Sequence, residues 1–139
     1  VLKHGDTMIA LSGAPYDSLE EMIGISGDSS QSLKAAGVKY EQIELINDDF
    51  DDQMIIERLK EKNIKLVEIQ RSRGYSHRKS LSIAKIERII KKIREVNAEV
   101  IIMVDNCYGE LVETKEPGHV GLYGSRKINS SRNWKRFRG

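Results

Sequence analysis

The chain alternates short apolar segments with segments that repeat apolar residues at helical spacing. The apolar or alternating segments, each typical of a strand, are residues 7–11, 39–45, 64–70 and 99–105. Helical patterns fill the intervals between them. Strands and helices that alternate at this spacing form right-handed βαβ units. The sequence therefore predicts an α/β fold of three layers, with a mostly parallel sheet and helices on both faces.

The clearest helical pattern follows Ser82, which we expect to be its N-cap. Apolar residues recur there as one buried stripe: Ile83, Ile86, Ile89, Ile90, Ile93 and Val96. An earlier helix is expected to be capped by Asp17, with Glu20 three residues on as in a capping box.

Two further helices are predicted with weaker patterns. A Ser/Gly-rich segment, residues 26–32, leads to a short helix that we expect to end at Gly37. The acidic turn 47–52 precedes a helix expected to carry Met54, Ile55 and Leu59 on one face.

The net charge of +2 conceals two oppositely charged parts. Residues 122–139 contain six basic residues and no acidic one, so residues 1–121 hold 17 of the 23 basic residues and all 21 acidic ones. A single cysteine cannot form an internal disulfide. Because the sequence also shows no apolar run long enough for a membrane span and no signal peptide, we expect a cytoplasmic protein that does not enter membranes.

Ligands of open α/β sheets bind beyond the carboxyl ends of the strands. Three predicted strand ends carry polar or aromatic residues, at positions 12–16, 71–75 and 105–108. Asp105 follows an almost wholly apolar strand, so its carboxylate needs a cationic or hydrogen-bonding partner; equally, it caps a turn or helix. If that strand continues, Cys107 projects to the same side.

The other candidates each have a plain structural alternative. Tyr16 is placed to stack on a planar ligand, or it lies half-buried over a loop. Arg71 and Arg73 are placed to bind a phosphate or carboxylate, or they are solvated or pair with Glu68. Cysteines such as Cys107 are more often small buried apolar residues than nucleophiles. The scattered histidines and the lone thiol show no metal-ligand spacing.

The same segments carry a family resemblance. SGAPYDSLEEMIGI, QRSRGYS and VDNCYGELVETKEP closely resemble motifs of the aluminium-resistance family, also called methionine gamma-lyase-like or cystathionine beta-lyase-like. The resemblance covers about residues 1–121, and it implies part of the large domain of the pyridoxal-phosphate (PLP) enzymes with the aspartate-aminotransferase fold.

The resemblance implies roles for individual residues. Asp105 matches the aspartate beside the pyridine nitrogen of PLP, Cys107 the position under the ring, and Tyr16 the tyrosine over its opposite face. Arg71 and Arg73 fall in a family motif and remain candidates for a phosphate or a substrate carboxylate. The implied activity is β- or γ-elimination from a sulfur amino acid through a Schiff base, in a homo-oligomer.

The resemblance stops where the basic residues begin. Residues 122–139 do not match the family stretch that holds the Schiff-base lysine, although Lys127 lies close to the expected position. We interpret residues 122–139 as a non-homologous tail, with an out-of-frame gene end as the hypothesis. The chain resembles a fragment of the family that is inactive alone, so whether it is itself an enzyme stays open.

A different class of function rests on that tail. Its basic residues alternate with Tyr123, Trp134 and Phe137, a composition able to bind phosphates and stack on bases. The alternative is therefore a small nucleic-acid-binding or interaction protein. The acidic remainder of the chain and the absence of a recognised nucleic-acid motif count against it.

Overall fold

A parallel sheet organises the chain. The computed structural model describes residues 2–74, 76–107, 109 and 112–115, and the backbone of residues 128–129. Its strands are β1 (Thr7–Ala10), β2 (Lys39–Gln42), β3 (Ile64–Gln70), β4 (Ile101–Asp105) and β5 (Ile128–Asn129). The helices are α1 (Asp17–Ile23), α2 (Asp52–Leu59) and α3 (Ile83–Val96). The strand order is β2-β1-β3-β4-β5, and all neighbouring strands run parallel.

Each face of the sheet has its own apolar cluster. Side chains such as Ile9, Val67 and Ile102 pack with α2 and α3 on one face. Met8 and Leu66 lie on the other face and pack with Ile23 of α1. Successive residues of a strand point to opposite faces, which explains this division. The predicted three-layer α/β architecture is confirmed.

The helix α3 follows its sequence pattern closely. Ser82 is the N-cap, and its side chain accepts a hydrogen bond from the Lys85 N–H. The buried residues of the helix are Ile83, Ile86, Ile89, Ile90 and Ile93. Val96, predicted to extend the stripe, is 36 % exposed in the last turn of the helix. Met54 of α2 is likewise 49 % exposed, so only Ile55 and Leu59 of the predicted face are buried.

The predicted capping box of α1 is wrong. Tyr16, with extended backbone, is the N-cap, and no side chain caps it. The Tyr16 carbonyl already accepts hydrogen bonds from Leu19 and Glu20, so Asp17 is the first helical residue. Asp17 and Glu20 then lie in the first turn, where negative charge complements the helix dipole.

The predicted short helix ending at Gly37 is also wrong. Residues 30–37 form turns and bends. The N–H groups of Leu33 and Lys34 bond to the carbonyls of Met22 and Ile23, so this segment packs back on the end of α1. These tertiary hydrogen bonds replace the helical ones that the local sequence favours.

Three strands are shorter than predicted. β1 stops before Leu11, β2 stops at Gln42, and β4 begins at Ile101. The predicted limits of β3 are confirmed. Within the described residues, no helix is long and apolar enough to cross a membrane.

Candidate functional site

The carboxyl ends of β1, β3 and β4 meet at one edge of the sheet. Hydrogen bonds join the segments that follow them: the Gln70 N–H donates to Ser12 Oγ at 2.9 Å, and the Arg71 N–H donates to the Asp105 carbonyl at 2.9 Å. The Leu11 N–H donates to the Glu68 carbonyl. The three strand ends predicted from the sequence therefore converge.

A cavity of about 290 Å³ lies at this edge and brings together Asp105, Tyr16 and Cys107. Asp105 is the last residue of β4, and Tyr16 is half-buried at the start of α1. Leu19, Met22 and Met103 supply apolar wall. All three residues that the family resemblance assigns to the cofactor line this one space.

Cys107 reaches the cavity by a turn rather than by the pleat of a strand. β4 ends at Asp105, as the sequence predicts, so Cys107 is not part of the strand. Asp105 Oδ1 accepts a hydrogen bond of 2.9 Å from the Cys107 N–H, the local turn that Asp favours. The Cys107 side chain is exposed.

Gly74 lies against the Tyr16 ring. Its backbone has φ +56°, and a Cβ there would stand 3.3 Å from Tyr16 Cδ2 and 3.4 Å from Gln70 Nε2. A glycine at this position satisfies the left-handed backbone and also leaves room for the ring. The loop after β3 thus supports the aromatic residue of the cavity.

The structure places the two candidate arginines in different surroundings. Arg71 is 3 % exposed. Its guanidinium donates to Asn106 Oδ1 at 2.8 Å, to the Gly109 carbonyl at 2.5 Å and to Glu113 Oε1 at 2.8 Å. Arg71 therefore ties the loops together, and its acidic partner is Glu113 rather than the predicted Glu68.

Arg73 is exposed and lines a second cavity of about 520 Å³, which shares Tyr16 and Ser72 with the first. The N-terminus of α3 borders this second cavity. Glu113 Oε1 accepts the Ile83 N–H at 3.1 Å, so a carboxylate of the chain itself already satisfies that end of the helix. Of the two arginines, Arg73 has the guanidinium that faces open space.

Glu68 is a buried carboxyl that the sequence interpretation considered only as a partner for arginine. Its side chain is fully buried in β3, and neither carboxyl oxygen has a hydrogen-bond partner among the described residues. Burial, and then the charge of Asp105, raises the pKa of Glu68 to about 8, while Arg78 acts in the opposite direction. The signal in the sequence was a glutamate between two apolar residues, Val67 and Ile69, of a predicted strand.

Arg78 is a second residue that the sequence interpretation missed. Its guanidinium donates to the Gln70 carbonyl at 2.9 Å and the Ser72 carbonyl at 2.5 Å. Burial lowers the pKa of Arg78, and the charge of Glu68 partly opposes this. Arg78 therefore holds the end of β3 and its loop in place.

Lys127, the candidate catalytic residue, lies outside the described residues, as do the side chains of the rest of the basic tail. Among the residues that the structure describes, no three His, Cys, Asp or Glu side chains gather into a possible metal site.

Comparisons with known proteins identify relatives of this chain. A candidate cystathionine beta-lyase involved in aluminum resistance, from Clostridium acetobutylicum, is 51 % identical with a TM-score of 0.82, over 86 % of this chain and 29 % of that one. The uncharacterized protein YnbB of Bacillus subtilis is 40 % identical over 87 % of this chain and 29 % of its own length. This chain therefore spans about three tenths of the relatives it matches.

A more distant structure has the same fold. The PLP-bound C–S lyase of Staphylococcus hominis is 15 % identical, with a TM-score of 0.52 over 76 % of this chain and 24 % of that one. The family model for methionine gamma-lyase matches residues 1–125. The chain therefore belongs to the methionine gamma-lyase family.

Proposed function

We propose that these residues form part of the PLP site of a carbon–sulfur lyase that acts on sulfur amino acids. The observation that carries this proposal is the meeting of Asp105, Tyr16 and Cys107 in one cavity at the carboxyl edge of the sheet. Open α/β sheets bind their ligands at this edge.

The residues of the cavity suit the ring of PLP. Tyr16 offers an aromatic face, and Met22 and Met103 offer polarisable apolar surface. Asp105 places a carboxylate at the wall, which favours a protonated ring nitrogen. A planar cation with apolar faces is therefore the kind of group that this cavity accepts.

Bound PLP supplies an electron sink that stabilises a substrate carbanion. The chain's own residues act on the cofactor rather than on the bond that breaks. Asp105 would hold the proton on the ring nitrogen, and the Cys107 N–H orients the Asp105 carboxylate through Oδ1. Tyr16, which lines the cavity, would cover one face of the ring and exclude water from it.

Anionic groups of cofactor or substrate have one candidate partner in the adjoining cavity. Arg73 is exposed there, whereas Arg71 already donates to four acceptors of the protein, the Leu81 carbonyl included. We therefore assign Arg73, rather than Arg71, to a phosphate or a substrate carboxylate. Arg71 acts as a positioning residue for the loops.

The remaining parts of the activity extend beyond the described residues. The role of Lys127 as the lysine that joins PLP stays a proposal, as do the sulfur amino acid substrate and assembly into a homo-oligomer. Because the chain spans about three tenths of its relatives, we propose that it has no lyase activity alone. Nucleic-acid binding by the basic tail stays a prediction that no described residue supports.

Borohydride trapping of PLP tests the proposal. The purified chain is mixed with PLP, reduced, and mapped by mass spectrometry, with Lys127→Arg and the exposed Lys62→Arg as matched variants. We expect one adduct, at Lys127, that is lost in Lys127→Arg, kept in Lys62→Arg and weakened in Asp105→Asn. Labelling spread over surface lysines, or no adduct, contradicts the proposal.

A further inference from the structure

Glu68 is buried within the layer between the sheet and α1. It lies on the same face as Leu66, which belongs to the apolar cluster that includes Ile23 of α1. Its neighbour on β1 is Ala10, which has a small apolar side chain. Neither oxygen of Glu68 has a hydrogen-bond partner among the described residues. A carboxylate in such a position is strongly disfavoured relative to the neutral acid.

Asp105 is an acidic neighbour of Glu68 on the adjacent strand β4. Glu68 pairs with Met103 and Gln70 pairs with Asp105, so Glu68 and Asp105 are diagonal neighbours on one face. Strand spacing and rise put their Cα atoms roughly 8 Å apart. Their side chains project from the same face, and a buried carboxyl does not ionise readily near another carboxylate. The charge of Asp105 accordingly contributes to the raised pKa of Glu68.

Other charged groups reach Glu68 from the elements around it. Arg78, in the loop after β3, attracts a Glu68 carboxylate but donates its described hydrogen bonds to backbone carbonyls. Tyr40 approaches from β2, and burial followed by the charge of Glu68 raises the pKa of its hydroxyl. Glu20 of α1 and Glu44 beyond β2 add negative charge near Tyr40. The local balance of charge therefore disfavours a second anion beside Asp105.

We propose that Glu68 is a buried proton-holding partner of Asp105, and that a cation bound against Asp105 makes Glu68 release its proton. Before binding, Glu68 carries the proton and Asp105 carries the negative charge. Binding converts the Glu68 carboxylic acid to a carboxylate, and its proton passes to solvent or to a basic nitrogen of the ligand. Glu68 is thus a positioning residue, which acts on the bound cation through its electrostatic interaction with Asp105. The identity of the cation as the PLP ring nitrogen rests on the proposed function.

The first test measures protons exchanged on binding. The probe is 4′-deoxypyridoxine 5′-phosphate, which keeps the pyridine nitrogen and phosphate but has no aldehyde to react with lysine. Calorimetry at pH 7 in two buffers of different ionisation enthalpy gives the protons taken up per ligand bound. We expect wild type to take up fewer protons from solution than Glu68→Gln, because Glu68 releases a proton when the ligand binds. Glu21→Gln, an exposed change on α1, should match wild type.

Equal proton counts for wild type and Glu68→Gln would overturn the inference.

The second test needs no ligand: carboxyl ¹³C titration of Glu68 in wild type and in Asp105→Asn. We expect the Glu68 pKa to lie well above the ordinary glutamate range in wild type and to fall in Asp105→Asn. An ordinary value, or the same raised value in both proteins, overturns the inference. Failure of the probe to bind contradicts the proposed function, and the titration then decides the inference alone.

Discussion

Replacing Glu68 with Gln should remove a pH dependence of folding stability that this one residue creates. Its pKa is raised from an ordinary 4.5 to about 8, mainly by burial. Between these values the unfolded chain has lost the Glu68 proton while the folded chain keeps it. The folded state binds the extra proton, so stability falls as pH rises through this window.

The size of the effect follows from the linkage relation. One proton of difference changes the free energy of unfolding by about 1.4 kcal/mol for each pH unit. Between pH 5 and pH 7 wild type should therefore lose about 3 kcal/mol relative to Glu68→Gln, which is isosteric but does not titrate. Such a difference is a large part of the total stability of a small domain.

Urea unfolding of the chain at pH 5, 6 and 7 measures this difference. The difference in the free energy of unfolding between wild type and Glu68→Gln is compared from one pH to the next. This comparison cancels the contributions of the other titrating groups that the substitution leaves unchanged. Glu21→Gln is the same substitution at an exposed site of α1, and its stability should follow that of wild type at each pH. If the stabilities of wild type and Glu68→Gln change in parallel with pH, Glu68 is not a buried, protonated carboxyl in the folded state, and the reasoning fails.

Three further substitutions test how the site is held together. Arg71→Lys should lower the free energy of unfolding in urea by roughly 2–4 kcal/mol, because a lysine cannot reach the four acceptors of Arg71. Arg73→Lys, at an exposed position, should change stability by less than about 0.5 kcal/mol, and equal losses would contradict the assigned roles. Ser82→Ala should cost about 1 kcal/mol by removing the α3 cap, against almost nothing for the exposed Ser80→Ala. Gly74→Ala should lower the free energy of unfolding by about 1 kcal/mol and shift the Tyr16 ring resonances, because the alanine Cβ would contact the ring. Unchanged resonances would mean that Gly74 does not support Tyr16.

Much of the fold is encoded in patterns that act locally. The isoleucine stripe and the Ser82 cap define α3, because burial and capping both depend on residues within the helix itself. The convergence of Tyr16 and Asp105 was also predictable, since the ends of parallel strands share one edge of the sheet. By contrast, residues 30–37 form a turn, because bonds to Met22 and Ile23 replace those of the predicted helix.

The missed parts of the site depend on distant partners. The role of Arg71 is set by Glu113, which is 42 residues away in sequence and lies beyond β4. For Glu68, strand alternation identifies the face of the sheet on which it lies but not whether that face is exposed to solvent. The packing of α1 over that face decides the matter, and a single sequence does not reveal it. Cys107 lines the cavity from a turn and not from a continued strand, because Asp105 accepts a hydrogen bond from the Cys107 N–H.

The protonation state of the cofactor's ring nitrogen tests the central claim most directly. PLP labelled with ¹⁵N in the ring is added to the chain and to Asp105→Asn, and its ¹⁵N chemical shift is recorded between pH 6 and pH 8. The account predicts bound PLP with a protonated nitrogen in the unsubstituted chain throughout this range, and a neutral nitrogen or lost binding in Asp105→Asn. A neutral nitrogen in the unsubstituted chain, the same shift in both proteins, or no binding would contradict the account.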